Sequence, residues 1–553
     1  MSAVAIGTRD GAKVVMPREA RETHLHVLGV SGQGKSYFLE HMIRRDILSG
    51  AGVCVIDPHG ELYDNLLAWL TEKQLDRYRT IHLINPSDDR WSVGFNPLCA
   101  GETDPTVRVG GMVNACMKVW GSADPTQTPR LAKCLRLVFY ALATHRLSLL
   151  EAKQFTAVFA ADVREHLTQM LPDAAMRDEW QEFSAYPTRE FQSFFESTNS
   201  RLLPFVSAPA VRRMVGQTER VIDLRRCMDE RHIILVNLAP KDKYEEESAR
   251  LLGAMLFSDL FVSAKRRNIA TAQRTPFYCY VDECADFLTD DVARVLDQTR
   301  KFGLHLILAH QRLEQLRQYS ENLYNGVMAG AQSKIVFKVD EDDTAEVMAR
   351  FLFRKELNLE QPKEILNKPV VTGQVPTWLY SESDTVSETT SESEGGGEGS
   401  SVSETELGDD QTTSTEGSSL SSTWSRSTTT TSSSTRGRSQ TLASVYEVMP
   451  STVYSLEEQI HKAIVVVRSL PKRTALGYLA DHGKPFRFST IPIRGGAALP
   501  SQVAEFVERV CEASEFTTRS DDVLRLIDQR RELVINPRAM IDLEGDDEEF
   551  FSS

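Results

Sequence analysis

Residues 29–36 read Gly29-Val30-Ser31-Gly32-Gln33-Gly34-Lys35-Ser36, the order G-x-x-x-x-G-K-S in full. Glycines at this spacing let the backbone curl until successive N–H groups point inward, a cradle for phosphate oxygens. A helix that starts at the loop adds the positive end of its dipole. Lys35 would then bridge β- and γ-phosphates, and the Ser36 hydroxyl would ligate Mg2+. The chemistry implied is the grip of ATP with Mg2+ by Gly29, Ser31, Gly32, Gln33, Gly34, Lys35, Ser36 and the adjoining Tyr37. The plain alternative is a flexible glycine turn. The apolar run Leu25–Leu28 leading in, and the amphipathic pattern leading out, argue against it.

A second chemical pattern lies far downstream. Phe277-Tyr278-Cys279-Tyr280-Val281-Asp282-Glu283 is an apolar run ending in two acids, the Walker B form. Asp282 would hold the metal through water, and Glu283 would polarise the attacking water, a role that needs a carboxylate beyond a strand tip. The next apolar run, Leu304–Ala309, leads into His310-Gln311. Gln311 at that tip is placed to touch the γ-phosphate and report hydrolysis. Arg300 and Lys301 precede the run; Arg300 is a candidate to reach a neighbouring subunit's nucleotide as an arginine finger, against the plainer reading of a helix end that favours positive charge. Val55-Ile56-Asp57-Pro58-His59-Gly60-Glu61 ends another apolar run with Pro58 and Gly60 forming a turn. That turn exposes Asp57 and Glu61 at the nucleotide edge, either as a sensor at a subunit interface or as an ordinary polar turn.

These residues need a sheet to bring them together. Strands are expected at His24–Leu28, Val53–Asp57, Thr80–Asn85, His232–Leu238, Phe277–Asp282, Leu304–Ala309 and Lys334–Val339, with helical pattern between them. Short apolar runs alternating with helices imply an α/β fold with a mainly parallel sheet covered on both faces. The first 24 residues are polar, with one small strand expected around Val14–Val15. The expected organisation is an N-terminal part of the nucleotide domain at 1–99, an all-α domain at 100–215, and the rest of the nucleotide domain at 216–380. A disordered Ser/Thr-rich linker at 381–441 follows, then a helix and a β-hairpin at 442–500 that return to the core, and a helical segment with an acidic tail at 501–553. About half of 381–441 is Ser or Thr, too little apolar surface to offset the entropy of ordering.

The 553 residues carry a formal net charge of −15. Most of the excess lies in the Ser/Thr-rich stretch and in the tail from Asp542 to Glu549, so the overall sign does not exclude a nucleic-acid partner. The eight cysteines are scattered with no C-x-x-C pair, which reads as buried free thiols in a reducing cytoplasm rather than a zinc site. No export signal is present, and no apolar run reaches membrane-spanning length; Leu251–Ala264 comes nearest and is interrupted by Ser258 and Asp259.

With these motifs in order, the chain resembles the HerA/FtsK superfamily of P-loop ATPases, with its nearest likeness to TraD/TraG-like coupling proteins of type IV secretion. The resemblance rests on the P-loop, Asp57-Pro58-His59-Gly60-Glu61-Leu62, Phe95-Asn96-Pro97-Leu98, Tyr280-Val281-Asp282-Glu283, Thr299-Arg300-Lys301-Phe302-Gly303-Leu304 and Leu308-Ala309-His310-Gln311. It implies a RecA-like motor domain, an all-α domain beside it, and ATP sites between the subunits of a homo-oligomeric ring, expected to be a hexamer. The transmembrane helices of membrane-bound coupling proteins and the N-terminal β-barrel of HerA have no counterpart before Gly29, so the expectation is a soluble cytoplasmic motor.

Two functions compete at this point. One is a DNA translocase acting on single- or double-stranded DNA in conjugation, mobile-element transfer or phage defence, with Lys241 and Lys243 as candidate pore contacts. The other is a docking ATPase that recruits a protein or nucleoprotein partner, such as a nuclease or a relaxase complex, through the acids and paired aromatics of Asp546–Phe551. A metabolic P-loop kinase would give no reason for the Asp57–Glu61 turn.

Overall fold

The computed structural model describes residues 3–98, 104–121, 128–267, 274–288, 292–357, 362–364, 369–387, 399–407, 411–419, 431–448 and 452–535. One sheet organises residues 1–358 and 456–553, which form a compact unit; residues 359–455 form another. In chain order the strands of that sheet are β1 (Val4–Arg9), β2 (Ala12–Met16), β3 (Leu25–Leu28), β4 (Gly52–Asp57), β5 (Ile81–Ile84), β6 (Ile233–Asn237), β7 (Phe277–Val281), β8 (Leu304–His310), β9 (Ser333–Val336), β10 (Thr474–Tyr478) and β11 (Pro485–Thr490). Their order across the sheet is β2-β1-β11-β10-β9-β3-β8-β7-β4-β6-β5. From β9 to β5 every pair is parallel. From β9 outward through β10, β11, β1 and β2 every pair is antiparallel.

The apolar runs explain why the central strands are buried on both faces. Along β4, Val53 and Val55 join one core while Cys54 and Ile56 join the other. In β7, Tyr278 and Tyr280 face the first core, and Phe277, Cys279 and Val281 the second. Alternation with period two therefore feeds two apolar layers, each capped by helices. The first layer lies under helices Lys35–Leu48 and Glu61–Glu72, and the second under Glu246–Lys265. Helix Glu246–Lys265 contains the apolar stretch Leu251–Ala264 and is buried along most of its length. No helix of the described residues is long and apolar enough to cross a membrane.

The N-terminal segment holds more structure than the single small strand expected there. β1 and β2 form a hairpin turned at Asp10-Gly11, with φ of 49° and 79°. Asp-Gly is the pair that tolerates two left-handed residues in a two-residue hairpin turn. β1 then pairs with β11, so the start of the chain and the returning hairpin share one edge.

Between residues 104 and 220 the described residues form helices and no strand. Asp104 caps Pro105–Trp120 by accepting from Thr106 N–H, with Pro105 in the first turn. Trp180 stacks on Phe195 with ring centroids 5.8 Å apart, and Phe155 lies at the same distance. Two contacts join this helical region to helix Glu246–Lys265 and to the segment after β7. Arg108 meets Asp259 at 3.2 Å, both buried, and Lys118 Nζ donates to Ala285 O at 2.9 Å.

At the C-terminal side, helix Leu456–Arg468 leads into the β10/β11 hairpin. Helix Pro500–Ala513 packs on β5, and Thr517–Arg519 pairs with Trp91–Val93. The acidic tail lies outside the described residues.

In the second unit, Pro369–Ser387 pairs with Thr431–Val448, and Gly399–Leu407 with Gln411–Ser419, both antiparallel. Beyond Tyr380 these strands are rich in Ser, Thr and Glu, and a two-stranded ribbon is marginally stable by itself.

Candidate active site

β3 enters the glycine loop at Leu28, and helix Lys35–Leu48 leaves it. A Cβ on Gly29 would stand 2.5 Å from the Phe337 Cβ, so only glycine fits beside that strand end. Gly32 and Gly34 have φ of 78° and 107°, backbone that other residues rarely adopt. The loop therefore curls into the start of the helix, with Gly29 N–H donating to His310 O at 3.4 Å and Val30 N–H to Lys338 O at 3.1 Å. Because β3, β8, β7 and β4 are adjacent and parallel, their carboxyl ends converge on the same edge, where α/β sheets place ligands.

The acids arrive from β7. Lys35 Nζ lies 3.0 Å from Glu283 Oε1 and 3.6 Å from Asp282 Oδ1, with all three residues buried. Asp282 N–H donates to Ile56 O on β4, and Asp282 Oδ1 accepts from Glu283 N–H, each at 3.1 Å. Glu283 has φ of 45°, a left-handed conformation that costs an ordinary residue on the order of 1 kcal/mol. Two side chains from the end of β8 and the helix beyond hold it there. Gln311 Nε2 donates to Oε1 at 2.8 Å, and Gln315 Nε2 lies 3.4 Å from Oε2. Gln315 Oε1 in turn accepts from the N–H groups of Gln311 and Arg312, each at 3.0 Å.

The two carboxyls are driven apart. Burial pushes Asp282 upward, and the neighbouring Glu283 and Asp57 charges add to that against the pull of Lys35. Burial would raise Glu283 too, but Lys35 and the Gln311 hydrogen bond outweigh it and hold that carboxyl below its usual range. Glu283 is thus kept as the ionised acid.

Behind this edge runs a buried polar chain. Lys334 Nζ donates to Met328 O at 3.1 Å and Ala331 O at 2.9 Å, and lies 3.5 Å from His26 Nδ1. His26 Nε2 is 2.6 Å from His310 Nε2, and His310 Nδ1 is 2.8 Å from Arg312 O. A carbonyl accepts only, so His310 carries its proton on Nδ1 and accepts on Nε2 from His26. The direction of each bond follows, ending on the turn that carries Gln311.

Asp57 sits at the tip of β4 with both oxygens engaged: Oδ1 accepts from His59 N–H and Oδ2 from Tyr63 N–H, each at 2.9 Å. These bonds anchor the start of helix Glu61–Glu72, while Glu61 itself is exposed. Arg300 and Lys301 lie in the turn before β8, at the opposite edge of the sheet from Lys35. They line a recess of about 460 Å3 with Arg18, Glu22, Arg274 and His305. Lys241 is exposed, with φ of 47°; Lys243 meets Asp89 at 2.7 Å on the surface.

Residues 8–97 match the family model described as the central domain of helicase HerA. Residues 233–366 match the model described as the DNA-binding domain of the type IV secretion-system coupling protein. In these two stretches the chain is similar to HerA-type and coupling-protein P-loop ATPases. Among solved structures, the bacterial conjugative coupling protein TrwBdeltaN70 in its trigonal form with sulphate is similar with a TM-score of 0.54 at 15% identity, over 91% of this chain and 92% of that one. Plasmid coupling protein TrwB with the ATP analogue ADPNP gives 0.53, and the same protein with ADP and Mg2+ gives 0.52, at the same identity and coverage. At that identity the likeness is one of fold. No curated protein sequence matches.

In this chain the structure brings together Lys35, Asp282, Glu283 and Gln311. It places Asp57 one strand away and leaves Arg300 remote from its own chain's loop. Gln315 is the residue that motif reading passes over. It lies on helix Leu313–Arg317 beyond the end of β8, where no motif spacing marks it. Arg312 escapes as well; with Ser31, Gln33, Gln311, Asp340 and Glu341 it lines a cleft of about 510 Å3 beside the loop. Of the cysteines, the seven among the described residues are free and buried. One of them, Cys227, approaches His82 and His232. The ring nitrogens there are engaged in a run from Glu230 through His232 and His82 to Ser514.

Proposed function

We propose that this chain is a DNA-translocating motor that hydrolyses ATP with Mg2+ between the subunits of a homo-oligomeric ring, a hexamer, in the cytoplasm. The observation that carries the reading is the Lys35–Glu283–Gln311 constellation, in a chain whose residues 233–366 match a coupling-protein DNA-binding domain. The curled amides of residues 31–34 and Lys35 hold the phosphates. Lys35 is shared with Glu283, so a triphosphate competes for its ammonium and leaves Glu283 to Gln311 and Gln315. The freed carboxylate then orients the attacking water. Ser36 and Asp282 offer a hydroxyl and a carboxylate, the hard oxygen donors that Mg2+ prefers. When bound, Mg2+ supplies charge neutralisation at the β- and γ-phosphates. Because Gln311 touches Glu283 directly, a change at the γ-phosphate reaches β8 without further parts.

Arg300 cannot reach Lys35 of its own chain across the sheet, so it serves the site of a neighbouring subunit. DNA would be moved by pore loops stepping along its phosphates, in conjugative or mobile-element transfer or in phage defence. The test is hydrolysis and displacement of a third strand from duplex DNA by the assembled protein. DNA-stimulated hydrolysis and strand displacement, both lost in Lys35→Ala, are expected. Hydrolysis indifferent to single- and double-stranded DNA in an assembled ring would remove the translocase reading.

A further inference from the structure

Arg473 stands immediately before β10, more than four hundred residues downstream of the glycine loop, and has φ of 64°. That left-handed backbone is costly for a residue with a side chain. Its surroundings tie it to the loop. Arg473 N–H donates to Gln33 O at 2.8 Å, and Arg473 O accepts from Thr490 N–H at 2.8 Å. Its Cγ lies 3.2 Å from where a Cβ on Gly34 would stand. The guanidinium carbon sits 4.8 Å from the centre of the Tyr37 ring. Tyr37 follows Ser36 on the first turn of helix Lys35–Leu48 and is 45% exposed. Arg473 is exposed too, and it forms no ion pair with a described residue.

We propose that Arg473 and Tyr37 form the seat for the base of a purine nucleoside triphosphate. The inference rests on the reading that residues 29–36 hold the triphosphate. With the phosphates in the loop, the nucleoside must leave past the first turn of the helix, where this pair lies. A planar cation laid over an aromatic ring presents a flat surface on which a purine can stack. An arginine that served only to join helix Leu456–Arg468 to β10 would not need to be arginine, because a glycine meets φ of 64° without strain. The hairpin β10/β11 thereby contacts the nucleotide, and the C-terminal part of the chain completes the site begun at its N-terminal part.

The experiment compares binding of ATP and of inorganic tripolyphosphate, each with Mg2+, to the full chain, to Arg473→Gly and to Tyr37→Ala. Arg473→Gly removes the side chain and relieves the backbone, so its melting temperature should not fall below that of the wild type. Both variants should bind ATP about tenfold more weakly or worse, with tripolyphosphate affinity unchanged. ATP affinity unaltered in both variants would overturn the proposal. Equal losses for ATP and tripolyphosphate would also overturn it, placing Arg473 on the phosphates. A wild type that binds tripolyphosphate as tightly as ATP would show that the base contributes nothing. A wild type that binds neither would instead defeat the phosphate-loop reading on which the proposal stands.

Discussion

Replacing Gln311 with alanine removes the donor 2.8 Å from Glu283 Oε1 and leaves that oxygen with Lys35 alone. When Lys35 turns to the phosphates, the carboxylate keeps only the longer contact from Gln315 at 3.4 Å. A hydrogen bond to a charged group is worth about 1.5–3 kcal/mol, which converts to roughly 10- to 150-fold in rate if the bond is needed to aim the base. The lower half of that range is expected, because Gln315 remains. The pH dependence adds an independent reading. Glu283 works as the carboxylate, so hydrolysis is present above its pKa and lost as pH falls through it. Wild-type Glu283 is held low by Lys35 and Gln311 against burial. Without Gln311 its pKa rises, and the acid limb of the kcat profile moves to higher pH. The assay is steady-state ATP hydrolysis by the assembled protein with DNA, across acid to neutral pH. A variant within twofold of wild type, with its acid limb unmoved, would refute the role given to Gln311.

Three other perturbations follow from the same geometry. Arg21 and Asp46 form a buried pair, with Tyr280 Oη donating to Asp46 Oδ2 at 2.6 Å, and this ties helix Lys35–Leu48 to β7. Arg21→Ala strands a buried carboxylate and should cost about 3–5 kcal/mol in urea unfolding; a loss under 1 kcal/mol would contradict that account. Burial pushes Lys334 down from 10.5 to about 7, so between those values the unfolded chain binds a proton that the folded chain does not. This group therefore makes stability rise with pH across that window, and Lys334→Met should flatten the slope relative to wild type; parallel curves would show that Lys334 titrates normally. Finally, Lys35→Ala and Arg300→Ala should each abolish hydrolysis but restore part of it when mixed before assembly, since one subunit supplies the loop and its neighbour the arginine. No recovery in mixed rings would place Arg300 outside the reaction.

The central strands were legible because burial on both faces writes itself as short apolar runs, and every expected end falls within a residue of the observed one except Val339, where the strand stops at Val336. The phosphate loop was legible because its backbone demands glycines at set positions. The β1/β2 hairpin was harder to see: its strands are short, half-polar and on the sheet edge, and the one firm signal was Asp10-Gly11. Asp57 shows a different limit. A carboxylate at a strand tip looks alike in sequence whether it faces a ligand or, as here, takes two backbone N–H groups. Arg473 was illegible for a third reason. Its conformation and its place beside Gly34 depend on a pairing between segments separated by most of the chain, and no local spacing encodes that.

The most direct measurement is ATP affinity and single-turnover hydrolysis in Glu283→Gln beside the wild type. The amide keeps the shape and can still meet Gln311 but cannot act as a base. Binding within a few-fold of wild type, with hydrolysis slower by roughly 10²–10⁴, is the expected result. Hydrolysis at the wild-type rate, or a wild type without affinity for ATP, would contradict the account at its root.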